Sequence, residues 1–476
     1  MAIIQGLSED GGLFVPDKFP KLDKSLADLA KMDYRDVAYE VMKLFFTDFT
    51  EEELRKCIEN AYDSKFDTEE IAPLAFVKDS YYLELFHGKT IAFKDMALSI
   101  LPHLMTTSAK KNNISEEIVI LTATSGDTGK AALAGFAGVE GCRIVVFYPK
   151  GGVSRIQERQ MLTQKGDNVK VVGIRGNFDD AQTGVKMIFN DEAFKAELKT
   201  KGYRLSSANS INIGRLIPQV AYYVFAYTRL LKEGKIREGE PINFTVPTGN
   251  FGNILAGFYA MKIGIPVGKL ICASNENKVL YDFFETGVYD RNREFILTTS
   301  PSMDILISSN LERLIYEIAG EDDVKCKELM ASLQTTGKYE VTDKMKAACA
   351  NFVGGYATEE EVLERIHQIY SETGYVMDTH TAVASAVYDR YRRIEKDETV
   401  NVIVSTASPY KFTRSVMEAL EGKAEEEDDF ALIDRLSSLS GIPVPNAVEE
   451  IRNAEILHHT VCDKEEMKNE VAAFLK

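Results

Sequence analysis

The 476-residue sequence has no C-x-x-C pair, and its six cysteines (Cys57, Cys142, Cys272, Cys326, Cys349 and Cys462) stand apart without metal-ligand spacing to histidine. This argues against a disulfide framework and a zinc module, and predicts reduced, mostly buried thiols of a reducing cytoplasm. Histidine is scarce too, six in all, and His87, His103 and His380 share no metal spacing; each is expected to be structural. No apolar run approaches the roughly 20 residues that a membrane helix needs. The opening MAIIQGLSEDGG lacks a basic region followed by an apolar stretch, so no secretory signal is expected. Positive charge is also in deficit, with 56 Lys and Arg against 73 Asp and Glu and a net charge of −17. Nucleic acid and anionic membrane surfaces would be repelled, and neither is expected as a partner. An anionic ligand can be held only where positive potential is concentrated locally, in a pocket.

What is present is the composition of an ordinary globular chain, 45% hydrophobic and 27% charged. Its length predicts two to four domains. Residues 1–82 read as a mainly helical N-terminal domain, with helical periodicity across 34–46 and 51–62. From about residue 117, short apolar runs alternate with helical segments. Strands are predicted at 118–123, 143–148, 169–174, 242–246, 270–273 and 400–404. Continuous apolar strands, each followed by a helix, predict an α/β fold with parallel sheet covered on both faces. Residues 422–429 are acidic and read as a solvated connection, and 426–476 as a C-terminal helical segment.

Two predicted strands end in glycine-containing loops that open into helices, where ligands of α/β sheets bind. One is Pro247-Thr-Gly-Asn-Phe-Gly-Asn253. Backbone N–H groups of Gly249, Asn250, Phe251, Gly252 and Asn253, with the positive end of the following helix, suit an anion. Gly249 and Gly252 are expected to let the backbone approach that anion closely; a plain turn with tight packing is the alternative. The other loop is Thr122-Ala-Thr-Ser-Gly-Asp-Thr-Gly129. Its Thr124, Ser125 and Thr128 hydroxyls and Asp127 suit either helix capping or a second anion. Lys94 lies between apolar residues in IAFKDM, ahead of a helix predicted at 97–104; among 56 Lys and Arg it reads alone as a surface lysine. Buried, it would be suited to Schiff-base chemistry. Arg215, opening a predicted helix at 216–231, is a forked donor for phosphate. Hydroxyls recur at the strand end Ser405-Thr-Ala-Ser-Pro409.

The order of these blocks carries more than any one of them. LELFHGKTIAFKD, TATSGDTGKAA, SRIQERQM, NSINIGR, VPTGNFGNILAGF, MDILISSNLERL, DTHTAVA and STASPYKF resemble the successive motifs of the threonine synthase family. The resemblance implies a fold-type II pyridoxal 5'-phosphate enzyme, tryptophan synthase β-like, with two parallel-sheet α/β domains and a small N-terminal domain. Residues 83–115 and 200–425 would form the large cofactor-binding domain and 116–199 the small one. Lys94 matches the Schiff-base lysine, residues 249–253 the cofactor-phosphate loop and Thr406 the hydroxyl facing the pyridine nitrogen. Asp127 would lie near the cofactor 3-hydroxyl. Residues 124–128, including Ser125 and Gly126, would hold the substrate carboxylate. Thr128, Ser210, Arg215 and Asn253 would receive its phosphate. The implied reaction makes L-threonine from O-phospho-L-homoserine and water. A phospho-lyase releasing a 2-keto acid and a non-catalytic binding homologue are the alternatives. Two blocks depart from the family pattern: Lys89 stands for a usual proline, and Ser408-Pro-Tyr-Lys-Phe412 for His-Pro-Ala-Lys-Phe.

Overall fold

The computed structural model describes residues 1–124, 126–422 and 428–476, so Ser125 and most of the acidic connection lie outside the described residues. In chain order the strands are β1 (Leu74–Val77), β2 (Ser80–Glu84), β3 (Glu117–Ala123), β4 (Cys142–Pro149), β5 (Val169–Ile174), β6 (Tyr203–Ser206) and β7 (Ile242–Pro247). They continue with β8 (Val267–Ser274), β9 (Val288–Asp290), β10 (Lys338–Glu340), β11 (Phe352–Tyr356), β12 (Asn401–Ser405) and β13 (Val461–Cys462).

Two sheets organise the chain. The first runs β1-β2-β12-β7-β8-β11, parallel from β2 onward, with β1 antiparallel at one edge. The second, β13-β5-β4-β3-β6, is parallel throughout. A ribbon of β9 and β10 stands apart. Every residue of β7 is buried, as is all of β4 except Arg143. That is what continuous apolar runs predict for strands covered on both faces. Helix Ile213–Lys232, buried along nearly its whole length, supports the first sheet. The N-terminal helices Tyr34–Met42 and Glu51–Ala61 lean on it through Tyr34, whose ring lies 5.3 Å from Phe225 and 5.1 Å from Tyr62.

The chain departs from the expected segments in four places. Residues 1–82 are not helical to their end, because β1 and β2 form a hairpin that joins the first sheet. Its turn carries Lys78 at φ 60°, a conformation usually signalled by Asn or Gly, so the sequence gives no hairpin warning. β6 falls within 200–425 yet pairs with β3 of the second sheet. β13 interrupts the C-terminal helices to add an edge to that same sheet beside β5. The helix predicted at 97–104 is two helices, Asp95–Leu98 and Leu101–Lys111, with Pro102 in the first turn of the second. Proline fits a helix start and not its middle, so the chain breaks there.

The short helix Asp95–Leu98 is pressed against helix Asp127–Phe136. A Cβ on Gly135 would stand 2.1 Å from the Leu98 carbonyl oxygen. Gly135→Ala is therefore expected to destabilise the fold by about 1–3 kcal/mol, the usual cost of overpacking. Urea unfolding would show it as a lower midpoint at unchanged slope.

His87 ties the N-terminal region to the end of β2. Its Nδ1 is 2.6 Å from Asp67 and its Nε2 is 3.0 Å from Glu84. Burial acts against the charged ring, but the two carboxylates outweigh it and raise the group to about 9. A raised base stabilises the fold fully below its unfolded value of about 6.5, and that contribution fades as pH rises through about 9. His87→Gln should cost about 1–2 kcal/mol at pH 6, allowing for screening at half-exposed Asp67. At pH 10 melting curves of the two proteins should coincide.

Candidate active site

The carboxyl ends of β3, β7 and β12 lead into the segments singled out by sequence. Lys94 precedes helix Asp95–Leu98 and is tied to the end of β12, where the Phe93 N–H donates to the Thr406 carbonyl at 2.8 Å. The Asp95 carboxylate folds back onto Thr90, accepting from its N–H at 2.7 Å and its hydroxyl at 2.6 Å. Lys94 is not the surface lysine its local sequence suggests, since only 13% of its side chain is exposed. Its amine lies 3.6 Å from Asp127 Oδ2. Burial pushes the amine below its ordinary value against the pull of Asp127, and the Arg215 and Lys411 charges push the same way as burial.

Asp127 begins helix Asp127–Phe136, and donors converge on it from four separate segments. Gln157 Nε2 donates to Oδ1 at 2.8 Å, and Lys411 Nζ is 3.2 Å from that same oxygen. The Ser302 hydroxyl donates to Oδ2 at 2.8 Å. Burial alone would raise this carboxyl, yet Lys411, Lys94 and His380 together hold it well below the usual range. Gln157 is fixed by its own helix start: it forms a capping box with Ser154 while its amide reaches Asp127. The Pro301–Met303 turn that carries Ser302 is held by His380, whose Nε2 accepts the Ser302 N–H at 3.2 Å while Nδ1 faces Asp378 at 2.8 Å.

In the loop 122–129, Thr124 acts as the turn's own cap. Its hydroxyl oxygen accepts from the N–H groups of Gly126 and Gly129, both at 2.9 Å. Gly126 needs to be glycine on two counts, φ 133° and a Cβ that would strike Gln157 at 2.5 Å. Thr128 is half-buried on the first turn of the helix.

The loop 249–253 leads from β7 into helix Gly252–Ile263, with Phe251 in the left-handed conformation at φ 65° and its ring packed beside Phe284 and Phe352. At Gly249 tight packing is itself a reason for glycine: a Cβ there would meet the Ser302 carbonyl oxygen at 2.5 Å. The loop is thus packed against the turn that orients Asp127. Gly252 is roomier, its nearest neighbour being Asn310 at 3.5 Å. Residues 308–310 latch the loop from outside, through the Ser308 hydroxyl to the Gly249 carbonyl (2.6 Å) and the Asn310 amide to the Asn250 carbonyl (2.9 Å).

Beside this loop two buried donors are left over. Asn253 Oδ1 accepts from Tyr222 and Tyr223 at 2.8 and 2.7 Å, while its Nδ2 has no hydrogen-bond partner among the described residues. Arg215 gives one bond to the Ala208 carbonyl at 3.0 Å, and its Nε is likewise unpartnered there. Burial pulls this guanidinium down to about 10, which leaves it charged at neutral pH. Orphaned buried donors cost stability unless a ligand accepts from them, and here an anion would. Ser210 lies near Ser309 and Asn310, at 3.5 Å from each. This is the local positive potential that the acidic composition requires.

The structure therefore gathers Lys94, Asp127, Gly249, Asn253, Arg215 and Thr406 around one region. Ser125 lies outside the described residues. Sequence reasoning had given no role to Gln157, Ser302, Lys411 and Asn310, although all four sit in or beside the motif blocks. The two departures from the family pattern lie in different surroundings. Lys89 is exposed, and the buried Tyr410 directs its hydroxyl to the Ile442 carbonyl in the C-terminal segment. Among the described residues no cluster suits a metal ion and no helix is long and apolar enough to cross a membrane.

A buried lysine, a glycine-lined strand end, orphaned anion donors and two parallel α/β sheets define a pyridoxal-phosphate-dependent enzyme of fold type II. The family description "Pyridoxal-phosphate dependent enzyme" matches residues 76–406, flanked by "Threonine synthase N terminus" over 1–62 and "Threonine synthase, C-terminal" over 381–461. The chain belongs to the threonine synthase family, and its cofactor is pyridoxal phosphate. It is 37% identical over 451 residues to threonine synthase of Saccharomyces cerevisiae, covering 88% of this chain and 86% of that one. Threonine synthase-like 1 of Homo sapiens is 40% identical over 478 residues, covering 97% of this chain. The chain spans 63% of that relative's length. The crystal structure of threonine synthase from Brucella melitensis, with pyridoxal phosphate bound, superposes with a TM-score of 0.86 at 33% identity, covering 100% of this chain and 96% of that one.

Proposed function

We propose that this protein converts O-phospho-L-homoserine and water to L-threonine and phosphate. The observation that carries this reading is the pairing of a largely buried lysine, its amine pushed below the ordinary value, with a guanidinium Nε and an amide Nδ2 that have no hydrogen-bond partner among the described residues. When bound, pyridoxal phosphate supplies an electron sink for charge developing on the substrate. The chain's own residues do the rest. Lys94 anchors the cofactor and, once released, takes a proton from the substrate α-carbon and moves protons at the neighbouring carbon. N–H groups of 249–253 would hold the cofactor phosphate, the Thr406 hydroxyl would serve the pyridine nitrogen and Asp127 the 3-hydroxyl. Thr124, Ser125, Gly126 and Thr128 hold the substrate carboxylate. Arg215 and Asn253, with Ser210 and Thr128, bind the substrate phosphate and receive it as it leaves the γ-carbon. Burial of this group keeps bulk water from competing for the charges. The cofactor domain is the one built on the first sheet, the small domain the one built on the second, and the enzyme acts in the cytoplasm.

The test is incubation of the full chain and cofactor with O-phospho-L-homoserine, measuring phosphate and identifying the carbon product. Threonine in step with phosphate supports the reading. Phosphate with only 2-oxobutyrate, or no turnover by cofactor-loaded protein, overturns it.

A further inference from the structure

The proposed reaction uses one lysine, yet the site buries two. Lys411, in the turn Pro409–Phe412, has 1% of its side chain exposed. Its ammonium lies 3.2 Å from Asp127 Oδ1 and donates to the Thr90 carbonyl at 2.9 Å. Lys94 stands on the other side of the same carboxylate, at 3.6 Å from Oδ2. One carboxylate thus lies between two amines, and the closer one is not the one that does the chemistry.

We propose that Lys411 is a positioning residue that takes Asp127 as its own ionic partner and so leaves Lys94 a neutral amine. The proposal rests on Lys94 being the cofactor-anchoring lysine. A protonated amine has no lone pair with which to attack a carbonyl carbon, and a buried carboxylate beside it favours the protonated form. Were Lys94 the only cation near Asp127, the pair would hold that proton. With Lys411 matched to Asp127, the carboxylate's charge is already answered.

The surroundings of these groups agree. Lys94 faces Asp127, Arg215 and Lys411. Asp127 faces Lys411, Lys94 and His380, besides the Ser302 and Gln157 donors. His380 accepts the Ser302 N–H at Nε2 and faces the buried Asp378 through Nδ1. Asp95 on the far side faces Lys411 and Lys130. Two buried carboxylates therefore meet four buried cationic side chains, Lys94, Lys130, Arg215 and Lys411. A low-dielectric interior does not tolerate that excess, so a base must give up its proton. Of the two amines on Asp127, Lys94 is the farther, at 3.6 Å against 3.2 Å for Lys411, and loses less by giving up its proton.

The experiment follows the full chain, freed of cofactor, as it takes up pyridoxal 5'-phosphate between pH 6 and 10, read by the visible absorbance of the lysine-bound cofactor. In Lys411→Met the pH midpoint of the uptake rate should rise by about one unit or more, which is about tenfold slower uptake at neutral pH. Lys411→Arg should restore the midpoint, since it keeps the charge. Should Lys411→Met fail to fold, Asp127→Asn is compared with Asp127→Asn/Lys411→Met, in which no carboxylate is left unpaired. Because Lys411 acts through Asp127, these two should share a midpoint. The proposal is overturned if folded Lys411→Met keeps the wild-type midpoint, if Lys411→Arg shifts as far as Lys411→Met, or if the double variant sits a unit or more above Asp127→Asn. Failure of the wild-type chain to bind the cofactor through a lysine would instead sink the functional reading itself.

Discussion

Lys94→Ala will give a folded protein that stays colourless with added cofactor and loses at least about three orders of magnitude in turnover, the range expected when an anchoring amine and proton shuttle disappear together. The fold should survive because Lys411, at 3.2 Å, remains to balance Asp127. Far-ultraviolet dichroism, visible absorbance and threonine formation measured on one preparation separate these effects. Residual turnover within tenfold of wild type would show that another group carries the chemistry. Added small amines offer a finer check: an amine that enters the vacated space should restore part of the rate without restoring lysine-bound absorbance.

Arg215→Ala should lower kcat/KM for O-phospho-L-homoserine by about 100-fold or more, since each hydrogen bond between a buried guanidinium and a phosphate is worth about 1.5–3 kcal/mol. The same residue has an opposite effect on the ligand-free protein. Its guanidinium is fully buried with one bond, to the Ala208 carbonyl, and no carboxylate among the described residues pairs with it. Such a cation costs stability until an anion arrives. Arg215→Met is therefore expected to melt higher than wild type without ligand. With the cofactor bound, so that the 249–253 loop is filled, inorganic phosphate should raise the melting temperature of wild type and leave the variant where it was, because only a state that binds the ligand is stabilised by it. Equal phosphate stabilisation of both would place the phosphate site elsewhere. Arg215→Lys should recover only part of the loss, because an ammonium cannot present a two-pronged donor set.

Both experiments concern residues whose importance the sequence signals unequally. Strand positions were legible because buried parallel strands need unbroken apolar runs, and β3, β4, β5 and β7 match such runs within a residue or two at each end. The loops at 122–129 and 249–253 were legible because glycines and hydroxyls mark the passage from strand to helix. The β1–β2 hairpin was not, since its left-handed turn residue is a lysine. Nor was the helix break before Pro102, which apolar periodicity carries straight across.

By itself, then, the sequence determined the α/β pattern, the order of the motif blocks and the residue types offered for chemistry. Apart from the order of the blocks, these are written within stretches of ten or so neighbours. Only the tertiary structure decided which of them act together. The local sequence around Lys94 is that of a surface lysine, yet the fold places Asp127 beside its amine, and the fold alone packs Gly249 against the Ser302 turn. Asp127 accepts from Ser302 across 175 residues, and Lys411 reaches Thr90 across 321. No local period encodes such distances. The physical cause is burial: a charge's behaviour is set by which partners share its low-dielectric surroundings, and the folded chain alone selects those partners.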